Sequence, residues 1–214
     1  MLSRALILAS AALLGGAQSA AQLTQEIKQA EHDVPLLVEV LQLKPGMTVA
    51  DVGAGFGANT IVLSRWIGPS GRVFATDIGA NQLKVIRAAV DREMLTNVTV
   101  VEGAAAATNL PDACCDAIFM RDVYHHIGDT TAFDKSLLAS LKPGGRLAVI
   151  DFLPRPGSKV PQGVDANRGG HGITPALVVS EVSASGLTHV RTLERWPPDS
   201  TDTDPFFLVL FRRP

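Results

Sequence analysis

The stretch Val49 to Thr60, VADVGAGFGANT, constrains this chain more than any other. An apolar run, Thr48 to Val52, ends in three glycines spaced one residue apart: Gly53, Gly55 and Gly57. A helix from Ile61 to Ile67 is predicted to follow at once. Glycine tolerates positive φ and lets a ligand approach the main chain with no Cβ in the way. Free N–H groups at a helix start attract an anionic group. Strand, glycine turn and helix start therefore predict a ligand lying across a backbone turn. Asp51, two residues before the first glycine, offers acceptors to an ammonium or hydroxyl group. The competing reading is a tight strand-to-helix turn with no ligand.

The same turn also reads G-x-G-x-x-A, as Gly53, Gly55 and Ala58, which fits a nicotinamide or flavin dinucleotide. Val73 to Asp77 reads as the next strand. Asp77 closes it about twenty residues after the turn, where a ribose-binding acid belongs. It is also placed to cap the helix that Asn81 and Gln82 open.

A length of 214 residues, 46 % of them hydrophobic, suits one α/β domain with a substantial core. A formal net charge of -2 gives no electrostatic footprint for nucleic acid or an anionic membrane surface. The expected partner is a small molecule. At the start, Arg4, the apolar or small run Ala5 to Gly15, and Ser19-Ala20-Ala21 have the order of a secretory signal. Residues 1–21 are thus expected to be a signal peptide cleaved before Gln22, and residues 22–214 a single exported domain, periplasmic or secreted. The run is short for a transmembrane helix, so no stable membrane insertion is expected after cleavage. An uncleaved anchor, or a different start codon, is the alternative.

Leu23 to Leu43 is predicted helical, with Pro35 breaking it or starting a new helix. Glu31, His32 and Asp33 are either a lid over the ligand or a solvated helix end. Asn81 to Met94 is amphipathic, with Leu83, Ile86, Ala89 and Val90 on one face. Val98 to Val101 and Cys115 to Met120 read as strands, and Ala132 to Leu141 as a helix. Lys142 to Gly145 reads as a turn and Arg146 to Phe152 as a strand. A helix from Thr174 to Ser185, closed by Gly186, precedes strands near Thr188 to Leu193 and Phe206 to Phe211. Alternating strands and helices predict a parallel sheet. The last two strands, joined only by a loop, are expected to pair antiparallel.

Taken in order, DVGAGFG, TDIGANQL, LPDACCDAIFMRDVYHHI, LKPGGRLAVIDF and the closing strand pair resemble a class I S-adenosylmethionine-dependent methyltransferase. The resemblance implies a Rossmann-like α/β fold: a seven-stranded, mostly parallel sheet with one antiparallel strand and helices on both faces. It implies S-adenosylmethionine as cofactor and methyl transfer to an N, O, S or C nucleophile. By the same resemblance Gly53, Gly55 and Gly57 pack against the methionine end and sugar, and Asp51 faces the amino group. Asp77 accepts from the ribose hydroxyls, and Gly103 and Ala104 flank the adenine. Ile78 and Arg121 complete the cofactor-binding set. One departure stands out. Many relatives place an acid after that glycine to bond the adenine amino group, and this chain has Ala104 to Ala107. Backbone groups or Asn109 would then hold the base, or it is held less tightly.

Tyr124, His125 and His126 follow the fourth strand, where ligands of such sheets bind. They are the candidate catalytic residues. Alignment can supply much of the acceleration of an in-line transfer. Histidine suits removal of a proton from a neutral nucleophile. Alternatively, one histidine packs at the sheet edge and the other is a site wall. Asp122, Asp151, His125, His126 and His171 contain oxygen and nitrogen donors, but no metal-ligand spacing, so a metal-free site is expected. Adjacent Cys114 and Cys115 cannot easily form an ordinary disulfide and read as buried or edge thiols. The Pro- and Gly-rich stretch Leu153 to Ile173 is either a cap on the acceptor pocket, touching substrate through Arg168 and His171, or a surface loop. The acceptor is expected to be a small molecule or an envelope component. A non-catalytic binding protein on the same fold is the second class of reading, motivated by the export signal. A nicotinamide-dependent oxidoreductase is the third.

Overall fold

The computed structural model describes residues 4–165 and 169–214, and side chains from residue 23 onward. The side chains of the expected signal peptide, and Arg168, lie outside the described residues. Seven strands form one sheet among the described residues. They are β1 (Thr48–Val52), β2 (Arg72–Asp77), β3 (Val98–Glu102), β4 (Cys115–Arg121), β5 (Leu141–Phe152), β6 (Thr188–Trp196) and β7 (Phe206–Arg212). The order is β3-β2-β1-β4-β5-β7-β6. Neighbours from β3 to β5 are parallel, and β7 runs antiparallel to both β5 and β6. This is the Rossmann-like class I methyltransferase fold. It departs from the six-stranded 3-2-1-4-5-6 order of dinucleotide-binding sheets through its inserted antiparallel strand.

The central strands are apolar on both faces because helices cover both. Val49, Ala117 and Phe119 point toward α1 (Arg4–Leu41) and α2 (Ala58–Ile67), meeting Val34, Leu37, Ile61 and Leu63. Their neighbours Ala50, Ile118 and Met120 point the other way. There they meet Phe133 and Leu137 of α4 (Thr130–Ser140) and Val178 and Val182 of α5 (Pro175–Ala184). The period of two is that of a pleated strand. Burying each such Leu or Ile contributes about 1.5–3 kcal/mol. The remaining helix, α3, is Ala80–Arg92. Among the described residues, no helix is long and apolar enough to cross a membrane.

Two expectations need correction. First, Pro35 does not break α1, which runs through it. Pro35 is exposed and so is Glu31, whose carbonyl it leaves without a helical donor, while Val34, Leu37, Val38 and Leu41 hold the other face in the core. Second, Lys142 to Gly145 is not a turn before a strand but a bulge inside β5. Pairing advances two residues on β4, Cys115 to Ala117, while it advances from Leu141 to Arg146 on β5. The Gly144 N–H donates to the Arg213 carbonyl (3.0 Å), and the Arg213 N–H to Gly145 (2.8 Å). The end of the chain thus stitches the bulge.

Candidate functional site

The carboxyl ends of β1, β2 and β4 meet at the glycine turn. The N–H groups of Gly53 and Ala54 donate to the Thr76 carbonyl at 2.8 and 2.9 Å, fixing the turn against β2. Gly53 has φ 73°, and a Cβ there would lie 2.3 Å from a Val123 methyl, so the segment after β4 needs a glycine beneath it. Gly55 also has positive φ, but a Cβ on it would meet nothing within 4 Å. That open side is where a ligand can reach the backbone. Gly57 caps α2 and lines neither cavity described below.

Asp77 is held from two sides. One oxygen accepts from the Gly55 N–H (3.0 Å) and the other from the Gly79 N–H (2.8 Å). A carboxylate so tied keeps further lone pairs on each oxygen for a diol. Asp51 lies elsewhere. It is buried behind the turn, where the Thr60 hydroxyl donates to it at 2.7 Å. Burial pushes its pKa up to about 7, against the Thr60 hydrogen bond and with a smaller contribution from the Asp77 charge. Asp51 therefore faces α2 and not the cleft.

A cavity of about 1040 Å³ opens above the sheet. Gly53, Gly55, Asp77, Ile78, Gly103 and Ala104 to Ala107 form one wall. Asp122, His126, Gly128, Thr131 and Phe133 form another, and Gln162, Gly163 and Asp165 cover it. Ligand pockets commonly span roughly 300–1,000 Å³, so this one has room for a cofactor and a small acceptor together. Asn109 is not on its wall: the side-chain amide donates to the Glu102 carbonyl (2.9 Å). The alanine run instead makes a smooth wall, with Ala104 and Ala107 bonded backbone to backbone. A second cavity, about 290 Å³, lies between α1 and the glycine turn and is lined by Glu26, Gln29, Asp33, Asn59 and Arg121. The two share Gly53, Gly55, Gln82 and Asp122. Arg121 sits over the Phe206 ring, 4.6 Å from its centroid, and 3.7 Å from Asp33. Asp33 is buried, accepts from Gln29 (2.9 Å) and lines the smaller cavity beside the glycine turn. His32 is exposed, bridging Asp33 and Asp199, whose hydrogen bonds raise its pKa.

The segment after β4 is a single 3-10 turn, Tyr124–His126. Three residues per turn send three successive side chains in three directions. Tyr124 points into the core, where its hydroxyl donates to Asp134 of α4 at 2.8 Å. The structure thus places this expected catalytic residue away from the cleft, as a link between sheet and helix. His125 points under the edge of β5. Asp151 accepts there from its backbone N–H (3.0 Å) and from its Nδ1 (2.8 Å), and both side chains are fully buried. The Nε2 of His125 lies 3.0 Å from the Nε2 of His171. His126 alone of the three faces the cavity. Desolvation, helped by the charges of His125 and His171, holds its pKa below the usual histidine value. Asp122, at the exposed lip, has a raised pKa, chiefly from desolvation. Of the two loop residues named from sequence, His171 reaches the histidine cluster and not the cavity wall. Gln162, Gly163 and Asp165 were not singled out from sequence; the Pro- and Gly-rich composition marked only their loop.

Residues 50–149 match the family model described as a methyltransferase domain. The chain is 36% identical over 116 residues to the ubiquinone/menaquinone biosynthesis C-methyltransferase UbiE of Shewanella oneidensis, covering 54% of this chain and 46% of that protein. The same enzyme of Shewanella halifaxensis is 37% identical over a match of the same extent. The chain thus spans about half the length of the curated relatives it matches. Among solved structures, an S-adenosylmethionine-dependent methyltransferase from Aquifex aeolicus superimposes with a TM-score of 0.64 at 26% identity, covering 88% of this chain and 97% of the other. The [4+2]-cyclase SpnF superimposes with a TM-score of 0.68 at 16% identity, over 88% and 81%. That last likeness is one of fold.

Proposed function

We propose that this protein transfers a methyl group from S-adenosylmethionine to a small-molecule nucleophile, on the support of the match of residues 50–149 to a methyltransferase domain and of the class I methyltransferase fold. The observation that carries the reading is the pair of cavities running from Asp77 to His126 past the glycine turn. Asp77 takes the ribose hydroxyls, with Ile78 beside it. The Ala104 to Ala107 wall and Gly103 take the adenine, and Gly53 and Gly55 underlie the chain between. The smaller cavity suits the amino-acid end: Arg121 and the start of α2 favour a carboxylate, and Glu26 and Asp33 an ammonium. When bound, the cofactor supplies an electrophilic methyl group on a sulfonium. His126 presents a neutral imidazole to the remaining space and takes the acceptor's proton. Asp151 positions His125 behind it. The loop carrying Gln162 to Asp165 covers the acceptor. The names of the curated relatives support an acceptor of small-molecule class.

Incubation of the purified protein with methyl-labelled cofactor and an extract of its own envelope fraction tests the reading. Label is expected in an extractable small molecule. Label found only in protein or nucleic acid would contradict it.

We propose also that the protein is exported and begins, when mature, near Gln22. Mass spectrometry of protein from the native host is expected to show the shortened chain. A full-length product in the cytoplasm would refute export.

A further inference from the structure

Two strand-end segments far apart in sequence bring three imidazoles to one point. His125 and His126 come from the turn after β4, and His171 from the end of the loop after β5. One ring nitrogen of each lies within 4.8 Å of the others. The ring centroids are 4.0 Å apart for His125 and His126, 4.8 Å for His125 and His171, and 5.5 Å for His126 and His171. We propose that these three histidines bind one divalent transition-metal ion of the zinc(II) type, with Asp151 orienting His125 from behind.

Three features support it. The first is the tautomer. Both Asp151 oxygens already accept from backbone N–H groups, of His125 and of Phe152, so the proton on the Asp151–His125 contact is assigned to Nδ1. The lone pair of His125 then sits on Nε2, facing His171. A carboxylate behind a histidine is the arrangement that orients metal-bound imidazoles. The second is spacing. Two nitrogens at roughly 2.0–2.1 Å from a tetrahedral zinc are about 3.3 Å apart. The Nε2 atoms of His125 and His171 are 3.0 Å apart, so the pair opens by only a few tenths of an ångström. The third ligand, His126, is exposed and can turn toward them. The last is donor chemistry. Three imidazoles select a first-row transition metal over magnesium or calcium, which take oxygen ligands. His126 lines the large cavity, so the ion's remaining position opens toward it. The purpose of the ion rests on the methyl-transfer reading: it would hold an acceptor oxygen or sulfur as a ligand and lower its pKa, so that the proton passes to water in the cavity, whereas in the metal-free protein His126 takes it.

The test uses untagged, chelator-stripped, full-length protein titrated with zinc chloride by calorimetry and with cobalt chloride by visible absorption. One equivalent is expected to bind, with the cobalt bands of a nitrogen-rich, low-coordinate site. His171→Ala and His126→Ala, both changes near the surface, are each expected to weaken binding by about a hundredfold or more. Asp151→Asn is expected to weaken it about 10–100-fold. No binding of either metal at about 100 micromolar, or affinity unchanged in the His126→Ala/His171→Ala double variant, would overturn the assignment. S-adenosylmethionine binding is measured on the same samples. Cofactor binding without metal binding ends this inference alone. Metal binding without cofactor binding ends the methyl-transfer reading alone.

Discussion

Replacing His126 by alanine is expected to lower turnover by about a hundredfold or more while leaving affinity for S-adenosylmethionine unchanged. Replacing His125 is expected to do something different. The two residues are adjacent, but the 3-10 turn separates their tasks. His126 lines the cavity and contacts no cofactor-binding residue through a hydrogen bond among the described residues. Its loss removes a proton acceptor and leaves the Asp77 wall intact. His125 is buried with Asp151, a carboxylate with no exposed surface. His125→Ala leaves that buried group without its side-chain donor, and a lost hydrogen bond to a buried carboxylate costs about 1.5–3 kcal/mol. The expected pattern is a stable, slow His126→Ala and an unstable His125→Ala, read by steady-state kinetics and urea unfolding. Normal turnover in His126→Ala would remove the histidine from the chemistry. Equal stability of both variants would mean that the Asp151 contact is not what holds the turn.

The second large effect concerns Asp51. Its folded pKa, about 7, lies above the ordinary carboxylate value because it is buried. A raised carboxylate pKa means that the folded chain holds a proton the unfolded chain has lost between about pH 4 and pH 7. The sign follows: this group's contribution is most favourable below about pH 4 and becomes a penalty as pH rises to about 7. A shift of about three units corresponds to about 4 kcal/mol. Asn at this position is neutral throughout and can still accept from the Thr60 hydroxyl. Asp51→Asn is therefore expected to flatten the fall in ligand-free stability between pH 4 and pH 8 by about 4 kcal/mol, measured by urea unfolding at each pH. Parallel stability curves for the two proteins would show that the Asp51 carboxyl is solvated.

The strands were legible in the sequence because helices cover both faces of the sheet. A run such as Cys115 to Met120, apolar without alternation, has few other places to go. The glycine turn and Asp77 were legible for a related reason: strand, tight turn and helix start follow one another with no long-range help. Lys142 to Gly145 was not. Its residues read as a local turn, and what keeps them in the sheet is a pair of hydrogen bonds to Arg213 near the other end of the chain. Pro35 misled in the same way, since the packing of Val34, Leu37 and Leu41 outweighs one lost hydrogen bond on an exposed face. The site was half legible. Sequence placed the Tyr124-His125-His126 segment at the sheet's carboxyl edge, but not the direction of each side chain. Tyr124 looked like a cleft phenol, and Asp134, ten residues on, draws it into the core. The meeting of His125, Asp151 and His171 depends on where β4, β5 and the following loop end in space, which no local spacing encodes.

The central claim is that the wall from Gly53 to Asp77 holds S-adenosylmethionine. Titration calorimetry of the wild type and of Asp77→Ala with S-adenosylmethionine and S-adenosylhomocysteine tests it most directly. The account predicts one equivalent bound by the wild type. It predicts a loss of about 1–3 kcal/mol in Asp77→Ala, which remains folded, because a hydrogen-bonding group disappears from an open strand end. No binding by the wild type at about millimolar ligand, or equal affinity in the two proteins, would contradict it and leave this fold serving some other ligand.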